Sequence, residues 1–466
     1  MEQYGEGDER LQTSAIILAG GAGKRMQSKT NKVLHNLCGR PVVEHVINAC
    51  QETGISRFYV VIGRDASQVR ERLGDDYTYV LQEEQLGTGH AALQVKPYYQ
   101  HEPHVFVLCG DAPLITGATL KRMQQIHLEQ NADVTLLTAI FPEPGDYGRV
   151  LRDANGQVCG LVEVKDATLE QQAITEINAG FYCFRARELF QALEQLTNDN
   201  AQGEYYLTDV IQTIYQAGGR VASCTLDDNN ESLGINDRVR LAEAEKVLRQ
   251  RIRNRLMLAG VTFLQPETCL VDAGVSIGQD TVIYPGVILE GNTTIGRDCV
   301  IGPNTRLVDC QVGAGVSIEF SVARQSTLGD NCVVGPYAYL RPRTELAAGV
   351  KVGTFVELKN SQVGAGSKIP HQSYVGDATI GAGVNVGAGT IFVNYDGRDK
   401  YRSVVEDGAF IGCNSNLVSP VHIGQDAYVA AGSTVTKDVP QDALAVARSR
   451  QENKEGWVAR RRQRIP

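Results

Sequence analysis

Two different hydrophobic rhythms divide the chain. Residues 14 to about 236 alternate apolar, β-branched runs such as SAIILA and FYVVIG with amphipathic stretches such as PVVEHVINACQETG. Runs that are apolar throughout predict strands buried on both faces of a sheet, and the amphipathic stretches predict helices that cover those faces. This part is therefore predicted to be a doubly wound, Rossmann-like α/β domain with a mostly parallel sheet. Ligands of such sheets gather at the carboxyl ends of the strands.

The second rhythm has a period of six and follows a predicted helix over Arg238–Leu258, a segment without Gly or Pro. It is typical of a parallel β-helix, in which each short strand places one aliphatic side chain in the central column. A generic β-sandwich is the alternative. The aliphatic residues are Val271, Ile277, Ile283, Leu289, Ile295, Ile301 and Leu307, then Leu328, Val334, Leu340, Leu346, Val352 and Leu358, then Ile411, Leu417, Ile423, Val429 and Val435.

The period of six breaks at NYDGRDKYR, residues 394–402, which predicts a loop extruded from the β-helix. Solenoid proteins often carry function on such loops. The predicted divisions are a polar N-terminal extension (1–13), the α/β domain (14–236), a linker helix (237–258), the β-helix (259–445) and a basic C-terminal tail (446–466).

Composition and charge narrow the functional classes. Lys and Arg total 45 against 54 Asp and Glu, a net charge of −9, which argues against nucleic acid as the main ligand. No apolar run approaches the ~20 residues that span a bilayer, and the opening MEQYGEGDER does not resemble a secretory signal. The eleven cysteines form no CxxC pair and are predicted to be reduced, mostly buried thiols. We therefore expect a cytoplasmic protein without membrane insertion.

The segment GGAGKRM follows the first predicted strand and is a candidate phosphate-binding turn. Glycine allows tight turns and close backbone approach, so such a turn can present N–H groups to phosphates. Lys24, Arg25 and Lys32 add positive charge at the same end of the sheet. The segment matches neither GxxxxGK[ST] nor GxGxxG, so a tight turn without a ligand and a solvated group of charges stay open as alternatives.

Polar residues also follow later strands. Gln82 offers the paired donor and acceptor that can read a base edge, and Gly87 and Thr88 permit close backbone approach. Asp111 lies just past the apolar run HVFVLC, where a carboxylate beside phosphates would hold Mg²⁺. Taken alone, each of these residues fits an ordinary turn or helix cap equally well.

Together these segments resemble the sugar-1-phosphate nucleotidyltransferases. GLVEVKDA, EINAGFY, NAQGEYYLTDVI and GIND extend the resemblance to a bacterial bifunctional family with N-acetylglucosamine-1-phosphate uridyltransferase and glucosamine-1-phosphate acetyltransferase activities. The resemblance implies that N-acetylglucosamine-1-phosphate attacks UTP in the presence of Mg²⁺ and that pyrophosphate leaves. It assigns Arg25 and Lys32 to the triphosphate, Leu18, Gly20, Gly21, Gln82, Gly87 and Thr88 to the nucleotide, Asp111 and Asn236 to Mg²⁺, and Gly148, Glu163, Asn178, Tyr206 and Thr208 to the sugar pocket.

The β-helix region resembles the acetyltransferase half of the same family, through YLRPRTEL, FVELKNS, NVGAGTIFVNYDGRDK and AAGSTVTKDV. The resemblance implies acetyl transfer from acetyl-CoA to glucosamine-1-phosphate, preceding uridylyl transfer. It makes His371 the general base, a task that suits an imidazole, and Glu357 the residue that orients it. It assigns Arg341, Lys359, Tyr374, Asn385 and Lys400 to the sugar phosphate, Asn394 and Tyr395 to the acetyl group, and Ala388, Cys413, Ala431 and Arg448 to coenzyme A. A left-handed β-helix and a homotrimer with acetyltransferase sites between subunits are also implied.

Three residues depart from the family pattern. Lys24 and Cys413 stand where a small hydroxyl residue is expected, and Cys109 stands where an aromatic residue is expected. Three alternatives follow from the residues themselves. Cys413 could carry the acetyl group, the β-helix could only oligomerise or regulate a nucleotidyltransferase, or the chain could be a binding protein on a solenoid scaffold. His371 could also be a structural histidine, which is how we interpret His422.

Overall fold

The computed structural model describes residues 12–21, 23–63 and 66–463. The chain forms two compact units, Met1–Leu248 and Arg249–Pro466. The predicted long helix is present with the bounds Arg238–Leu258, so the division between the units falls inside it. The predicted N-terminal extension lies almost entirely outside the described residues.

The first unit alternates strands and helices, as the apolar and amphipathic segments predict. Its strands are β1 (Thr13–Leu18), β2 (Asn36–Leu37), β3 (Arg40–Pro41), β4 (Phe58–Ile62), β5 (Thr78–Leu81), β6 (His104–Cys109), β7 (Val134–Ile140), β8 (Arg149–Arg152), β9 (Val158–Val162), β10 (Glu176–Arg185) and β11 (Val221–Thr225). The helices are α1 (Val42–Gln51), α2 (Ala66–Leu73), α3 (Thr88–Leu93), α4 (Gly117–Glu129), α5 (Leu169–Gln172), α6 (Ala186–Leu193), α7 (Asp209–Gln216) and α8 (Arg238–Leu258).

The main sheet of the first unit is mostly parallel. Its strand order is β11-β7-β10-β6-β1-β4-β5, with the β8–β9 hairpin attached to β10. Only β10 runs antiparallel within this order, between β6 and β7. The carboxyl ends of β1, β4, β5 and β6 therefore meet at one edge of the sheet, together with the first residues of β10, and the predicted sheet class is confirmed.

Alternate residues of each central strand pack on opposite faces of this sheet. Ile16 belongs to a core with α3, α6 and α7 on one face, and Ile17 belongs to a core with α1 and α4 on the other. Both side chains are fully buried. Burial on both faces explains why the strand sequences are apolar throughout rather than alternating.

The second unit consists of three parallel sheets, which we call the first, second and third face. First-face strands are Thr262–Phe263, Val282–Ile283, Val300–Ile301, Ser317–Ile318, Val333–Val334, Lys351–Thr354, Lys368–His371, Asn385–Val386, Phe410–Ile411, Tyr428–Val429 and Leu444–Ala445. Second-face strands are Leu270–Val271, Ile288–Glu290, Arg306–Val308, Val322–Arg324, Tyr339–Leu340, Glu357–Lys359, Tyr374–Gly376, Ile391–Val393, Asn416–Val418 and Thr434–Val435. Third-face strands are Ser276–Ile277, Thr294–Ile295, Gln311–Val312, Ser326–Leu328, Thr344–Leu346, Gln362–Val363, Ala378–Ile380, Ser403–Val405 and His422–Ile423. A short helix, α9 (Trp457–Arg462), follows.

The period of six is the spacing between successive faces. Val271, Ile277 and Ile283 lie on the second, third and first face in turn, and all three are buried. Each strand then pairs in parallel with the strand one coil later, as Ile283 does with Ile301. The predicted parallel β-helix is confirmed, and the loop predicted at residues 394–402 leaves it between Ile391–Val393 and Ser403–Val405.

The eleven cysteines are free thiols, as predicted, and only Cys413 among them is exposed. Among the residues that the structure describes, no helix is both long and apolar enough to cross a bilayer.

Two imidazoles, the buried His127 and the partly buried His104, lie at the amino end of β6, away from the carboxyl edge. His104 Nδ1 is 3.1 Å from His127 Nε2, and His127 Nδ1 is 2.9 Å from Thr135 Oγ1. Burial, together with His104 and the Arg185 guanidinium, lowers the pKa of His127 to about 3. Burial and Arg185 also lower the pKa of His104. Both rings are therefore mostly neutral at neutral pH in the folded unit, and that of His127 stays neutral well below it.

These neutral imidazoles predict a loss of stability in mild acid. The unfolded chain protonates histidine below pH ~6.5, whereas His127 in the folded unit is protonated only near pH 3, so stability falls from about pH 6.5 towards pH 3. The His127→Gln variant is expected to lose about 2 kcal/mol less than the wild type between pH 6.5 and 5. Urea unfolding, followed by pulsed hydrogen exchange in peptides from β6 and β7, measures the difference. His422→Gln, at an exposed histidine beside Glu406, is the control, and equal pH slopes in all three proteins would contradict the prediction.

Candidate functional site

The glycine turn after β1 packs against the segment that follows β5. The Gly20 carbonyl accepts a hydrogen bond from Gln85 Nε2 at 2.6 Å. A Cβ on Gly20 would lie 3.1 Å from Oε1 of the buried Gln82, so a side chain at this position would have to displace Gln82. Gln82 Nε2 donates to the Gly87 carbonyl at 3.1 Å. Three of the residues assigned to the nucleotide therefore lie together at the carboxyl edge of the sheet, beyond Leu18 at the end of β1.

Gly87 and Thr88 begin α3 and pack against residues 205–207. Gly87 has a φ of +112°, and a Cβ there would lie 2.6 Å from the Tyr205 carbonyl oxygen, so this position requires glycine. Thr88 Oγ1 accepts a hydrogen bond from the Leu207 N–H at 3.1 Å. Its own hydroxyl proton can still be donated to a ligand.

Lys32, Asp111 and Asn236 converge next to this edge. Lys32 Nζ forms an ion pair with Asp111 and donates to Asn236 Oδ1 at 3.3 Å. The two charged side chains are only 13% and 21% exposed. The Asp111 carbonyl accepts a hydrogen bond from the Ile235 N–H at 2.8 Å, which holds the GIND turn beside the end of β6. Residues more than 200 positions apart thus form one polar group.

The oxygens of Asp111 and Asn236 suit a hard divalent cation. In this structure they share one cation, the Lys32 ammonium. Mg²⁺ usually takes one or two carboxylates and completes its shell with water and substrate phosphates, so a carboxylate and an amide oxygen fit it. Within the described ranges, no group of three or more His, Cys, Asp or Glu is arranged to hold a metal. A metal here would therefore depend on substrate for part of its shell.

The glycine turn also carries exposed cations. Lys24 and Arg25 lie exposed on the one-turn helix Lys24–Met26, and a Cβ on Gly21 would lie 4.0 Å from Lys32 Nζ. Positive charge therefore borders the same edge as Asp111.

The residues assigned to the sugar pocket form an adjoining group. Thr208 Oγ1 donates to Glu163 Oε1 at 3.3 Å, and a Cβ on Gly148 would lie 3.5 Å from Glu163 Oε2. The Gly148 carbonyl accepts a hydrogen bond from the Asn178 N–H at 2.9 Å. Burial raises the pKa of the Glu163 carboxyl, which the Thr208 hydrogen bond partly offsets. Tyr206 lies next in sequence to the Leu207 N–H that binds Thr88, so the sugar and nucleotide groups are contiguous.

Cys109, at the end of β6, occupies the place where the sequence analysis expects an aromatic residue. Its Sγ would lie 3.3 Å from a Cβ on Gly180, which has a φ of +78°. Burial raises the pKa of this thiol to about 12, and the Asp111 carboxylate contributes. The thiol is therefore neutral at physiological pH and acts as a small side chain between the metal-ligand and sugar groups.

In the second unit, the residues assigned to coenzyme A form a column, which we call the first corner column. It consists of the residues two positions after the buried aliphatic residue of successive first-face strands, namely Thr354, His371, Ala388, Cys413 and Ala431. Thr354 and His371 are register partners, and backbone hydrogen bonds from Asn414 to Ala388 and from Gly432 to Cys413 continue the stack. Arg448 follows beside Gly432. His371 thus lies one coil before three small residues in a row.

The same corner is bulky on the other side of His371. The rings of Tyr337 and Phe355 stack with centroids 5.5 Å apart, and both are exposed. These rings stand three positions after Val334 and Val352, and the residues at that place from the coil of His371 onward are Gln372, Gly389, Asn414 and Gly432. A long ligand along the column would therefore extend from His371 towards Arg448.

Residues assigned to the sugar phosphate lie on the outer surface of the second face. Glu357 is the register partner of Tyr374, and Lys359 is the register partner of Gly376. Arg341 Nη1 donates to Glu357 Oε1 at 2.8 Å. The Glu357 carboxylate therefore has a cationic partner of its own in the described chain, and the hypothesis that it orients His371 has no hydrogen bond in its support.

Asn385 differs from the other sugar-phosphate residues. It lies on the first face, between Lys368 and Phe410, whereas Lys359 and Tyr374 lie on the second. Asn394, Tyr395 and Lys400 lie on the extruded loop. A single chain therefore brings Arg341, Lys359, Tyr374, Asn394 and Lys400 to one side, and leaves Asn385 on the face that carries His371.

Sequence reasoning missed two residues of this group, Asn360 and Asp377. The Asp377 carboxylate accepts hydrogen bonds from Lys359 Nζ at 3.4 Å, Asn360 Nδ2 at 2.5 Å and Asn394 Nδ2 at 2.5 Å. The sequence gives one signal, because Asn360 and Asp377 each directly follow a second-face strand and are 17 positions apart, about one coil. An Asn or Asp at such a corner is otherwise typical of an ordinary left-handed turn.

Two family models match the chain. A MobA-like NTP transferase domain matches residues 15–216, and the bacterial transferase hexapeptide (six repeats) matches residues 274–308 and 402–437. The chain is also similar over nearly its whole length to bifunctional protein GlmU of several bacteria. It is 53% identical to that of Heliobacterium modesticaldum over 449 residues, covering 96% of this chain and 98% of the relative. It is 50% identical to that of Geobacillus sp. over 447 residues, covering 96% of this chain and 97% of the relative. It is 46% identical to that of Clostridioides difficile over 450 residues, covering 97% of this chain and 98% of the relative.

The position of the Lys32 ammonium predicts that it competes with a divalent cation. Lys32→Met removes a positive charge that at about 4 Å and an effective dielectric constant of about 20 repels a second unit charge by about 4 kcal/mol. Even a third of this repulsion energy corresponds to an affinity change of about tenfold. The variant is therefore expected to bind Mn²⁺ at least about tenfold more tightly without nucleotide. Electron paramagnetic resonance of free Mn²⁺ measures this affinity. Lys29→Met, at an exposed lysine, is the control, and unchanged affinity in Lys32→Met would contradict the prediction.

Proposed function

Because this chain belongs to the GlmU family of bifunctional transferases, we propose that its two activities use separate polar groups in its two units. The protein is a uridyltransferase and an acetyltransferase of cell-wall precursor synthesis. We assign uridylyl transfer to the carboxyl edge of the first unit and acetyl transfer to the His371 region of the second. The observation that carries this assignment is that each unit pairs a lysine with a carboxylate of its own, Lys32 with Asp111 and Lys359 with Asp377.

The uridylyl step needs little proton transfer. An oxygen of N-acetylglucosamine-1-phosphate attacks the α-phosphorus of UTP in line, and the bond to pyrophosphate breaks, so catalysis is mainly positioning and charge neutralisation. Lys32 and Arg25 bind phosphate oxygens, and Gln82 with Thr88 reads the uracil edge. Asp111 and Asn236 would hold Mg²⁺, which when bound neutralises phosphate charge.

The sugar group of the first unit selects the acceptor. Asn178 and Thr208 offer an amide and a hydroxyl next to the carboxylate of Glu163. Neutral and anionic hydrogen-bonding groups in a partly buried pocket suit the hydroxyls and the N-acetyl group of the sugar. The neutral thiol of Cys109 leaves more room here than an aromatic ring.

The acetyl step transfers an acyl group directly. His371 takes a proton from the amino group of glucosamine-1-phosphate as the nitrogen attacks the thioester carbonyl, the C–S bond breaks, and coenzyme A leaves as a thiol. The thioester is already activated, so no covalent enzyme intermediate is needed. Ala388, Cys413 and Ala431 form the path for coenzyme A, and Lys359 and Lys400 bind the sugar phosphate.

The distribution of the acetyl-transfer residues supports a homotrimer with sites between subunits. Asn385 and His371 lie on first-face strands, whereas Lys359 lies on the second face. One copy that presents its first face to the second face of another would bring these sets together. A cyclic assembly repeats that contact and closes.

Two alternatives from the sequence find less support. A β-helix that only oligomerises or regulates gives no reason for three cations, Arg341, Lys359 and Lys400, close enough to shift pKa values. A binding protein on a solenoid scaffold gives no reason for the Lys32 and Asp111 pair at the carboxyl edge.

Asp111→Ala is expected to reduce uridylyl transfer at least ~10²-fold and to leave acetyl transfer within about twofold. Removing this carboxylate takes away an electrostatic contribution of the kind that is worth about 10²–10³ in rate. Pyrophosphate release and free thiol, measured on the same preparation with and without each substrate, report the two activities. Equal loss of both activities in a folded variant would contradict the division of labour.

His371→Ala is expected to give the converse result. Loss of a general base typically costs 10²–10⁴ in rate, so acetyl transfer should fall at least ~10²-fold while pyrophosphate release persists. His422→Ala, on the third face, is the matched control. Near-normal acetylation by His371→Ala would refute the assignment of the base.

A further inference from the structure

The extruded loop is an ordered hairpin. Tyr395 and Lys400 form an antiparallel bridge, and the Tyr401 N–H donates to the Asn394 carbonyl at 2.9 Å. At the tip, the Asp396 carboxylate accepts hydrogen bonds from the backbone N–H groups of Arg398 and Asp399 at 2.8 and 2.7 Å. The internal bonds fix the shape of the loop, but they do not fix its direction relative to the β-helix.

Its direction depends on contacts at the base. On one side, Arg402 donates to Thr379 Oγ1 at 2.7 Å and to the Asn360 carbonyl at 3.1 Å. On the other side, Asn394 Nδ2 donates to Asp377 Oδ2 at 2.5 Å. Asp377 is the contact that joins the loop to the polar group of the second face.

The Asp377 carboxylate connects three successive segments. It accepts hydrogen bonds from Lys359 and Asn360 of the preceding coil and from Asn394 at the start of the loop. The residue is buried and has a φ of +51°, a conformation that Asp and Asn tolerate better than most residues. Burial raises the pKa of its carboxyl, but Asn360, Asn394 and Lys359 outweigh burial and the net pKa is lowered. Asp377 is therefore an anion at neutral pH.

The backbone at Gly376, next to Asp377, is closely covered by neighbouring side chains. A Cβ on Gly376 would lie 2.4 Å from the Tyr374 hydroxyl oxygen and 2.7 Å from Asn394 Nδ2. Tyr374 and Asn394 therefore cover Gly376, and a shift of Asn394 would disturb the packing of Tyr374 and Gly376.

The charges around Asp377 are mostly positive. Lys359 and, more weakly, Arg341 lower the pKa of Lys400, whereas Asp377 raises it. Glu357, the other carboxylate on this surface, pairs with Arg341. Asp377 is thus the anion that pairs with Lys359 and raises the pKa of the neighbouring Lys400.

We propose that Asp377 is a positioning residue for acetyl transfer, which directs the loop at the second face so that Lys359 and Lys400 bind one phosphate. This role rests on the acetyltransferase function proposed above. Asp377 acts through Lys359 and Asn394 and does not need to contact the substrate. Both the negative charge of its carboxylate and the position of that carboxylate contribute to this role.

Asp377→Asn separates charge from backbone conformation, because Asn also adopts the left-handed region. The KM for glucosamine-1-phosphate is expected to rise at least about tenfold, with kcat changed less than about threefold. Without the anion, the pKa of Lys400 falls further, so this ammonium loses its proton at a lower pH. The rise of KM on the alkaline side should therefore begin at a lower pH than in the wild type. Pyrophosphate release in the same preparation should be unchanged.

Trypsin provides a measurement of the loop that does not depend on activity. Cleavage after Arg398 and Lys400 should be at least about fivefold faster in Asp377→Asn, because the base of the loop has lost a charged anchor. Asp309→Asn is the matched control. Asp309 also follows a second-face strand, has a φ of +51° and lies four coils away, where it accepts a hydrogen bond from the Asn292 N–H.

The outcomes distinguish a failure of the positioning role of Asp377 from a failure of the proposed acetyltransferase function. An unchanged KM and an unchanged pH profile in Asp377→Asn would overturn the positioning role, and cleavage rates equal to those of Asp309→Asn would overturn the anchoring of the loop. Absence of acetyl transfer in the wild type would instead overturn the proposed function of the second unit.

Discussion

Parallel strand pairing is the constraint that brings the main candidate groups of both units together. In the first unit, parallel pairing of β1 with β4 and β6 brings the carboxyl ends of three strands to one edge, where Lys32 and Asp111 meet. In the second unit, parallel pairing stacks coils so that residues 17 positions apart, such as Glu357 and Tyr374, become neighbours. Backbone hydrogen bonds impose both the shared sheet edge and the stacked coils, and the functional side chains project from these two frameworks.

Both polar groups have the same electrostatic design. A carboxylate that is at least partly buried pairs with an ammonium group, Asp111 with Lys32 and Asp377 with Lys359. An amide completes each group, since Asn236 accepts a hydrogen bond from Lys32 and Asn394 donates one to Asp377. Ammonium groups gathered without an anion would repel one another and shift to the neutral form. The carboxylate allows a site to be positively charged before an anionic substrate arrives, and it fixes the geometry in which the substrate is met.

The period of six was sufficient to predict the β-helix, because only an inward side chain on each of three faces repeats in that way. The same reasoning placed the loop at residues 394–402, since a polar segment cannot supply the buried column. It could not place the partner of Glu357, which is Arg341 one coil away, because register between coils depends on the lengths of all the intervening corners. It also missed Asp377, whose local sequence is that of a simple turn.

The sequence by itself determined the two architectures, the boundaries of the long helix and the reduced state of the cysteines, because hydrophobic period and composition are local properties that burial and backbone pairing translate directly into structure. Only the tertiary structure decided which polar residues share a site. The ion pair of Lys32 with Asp111, the separation of Asn385 from Lys359, and the convergence of Asn360 and Asn394 on Asp377 all depend on distances between segments far apart in the chain. Side-chain charge and hydrogen bonding act over a few ångströms in space, a distance that the local hydrophobic pattern does not specify.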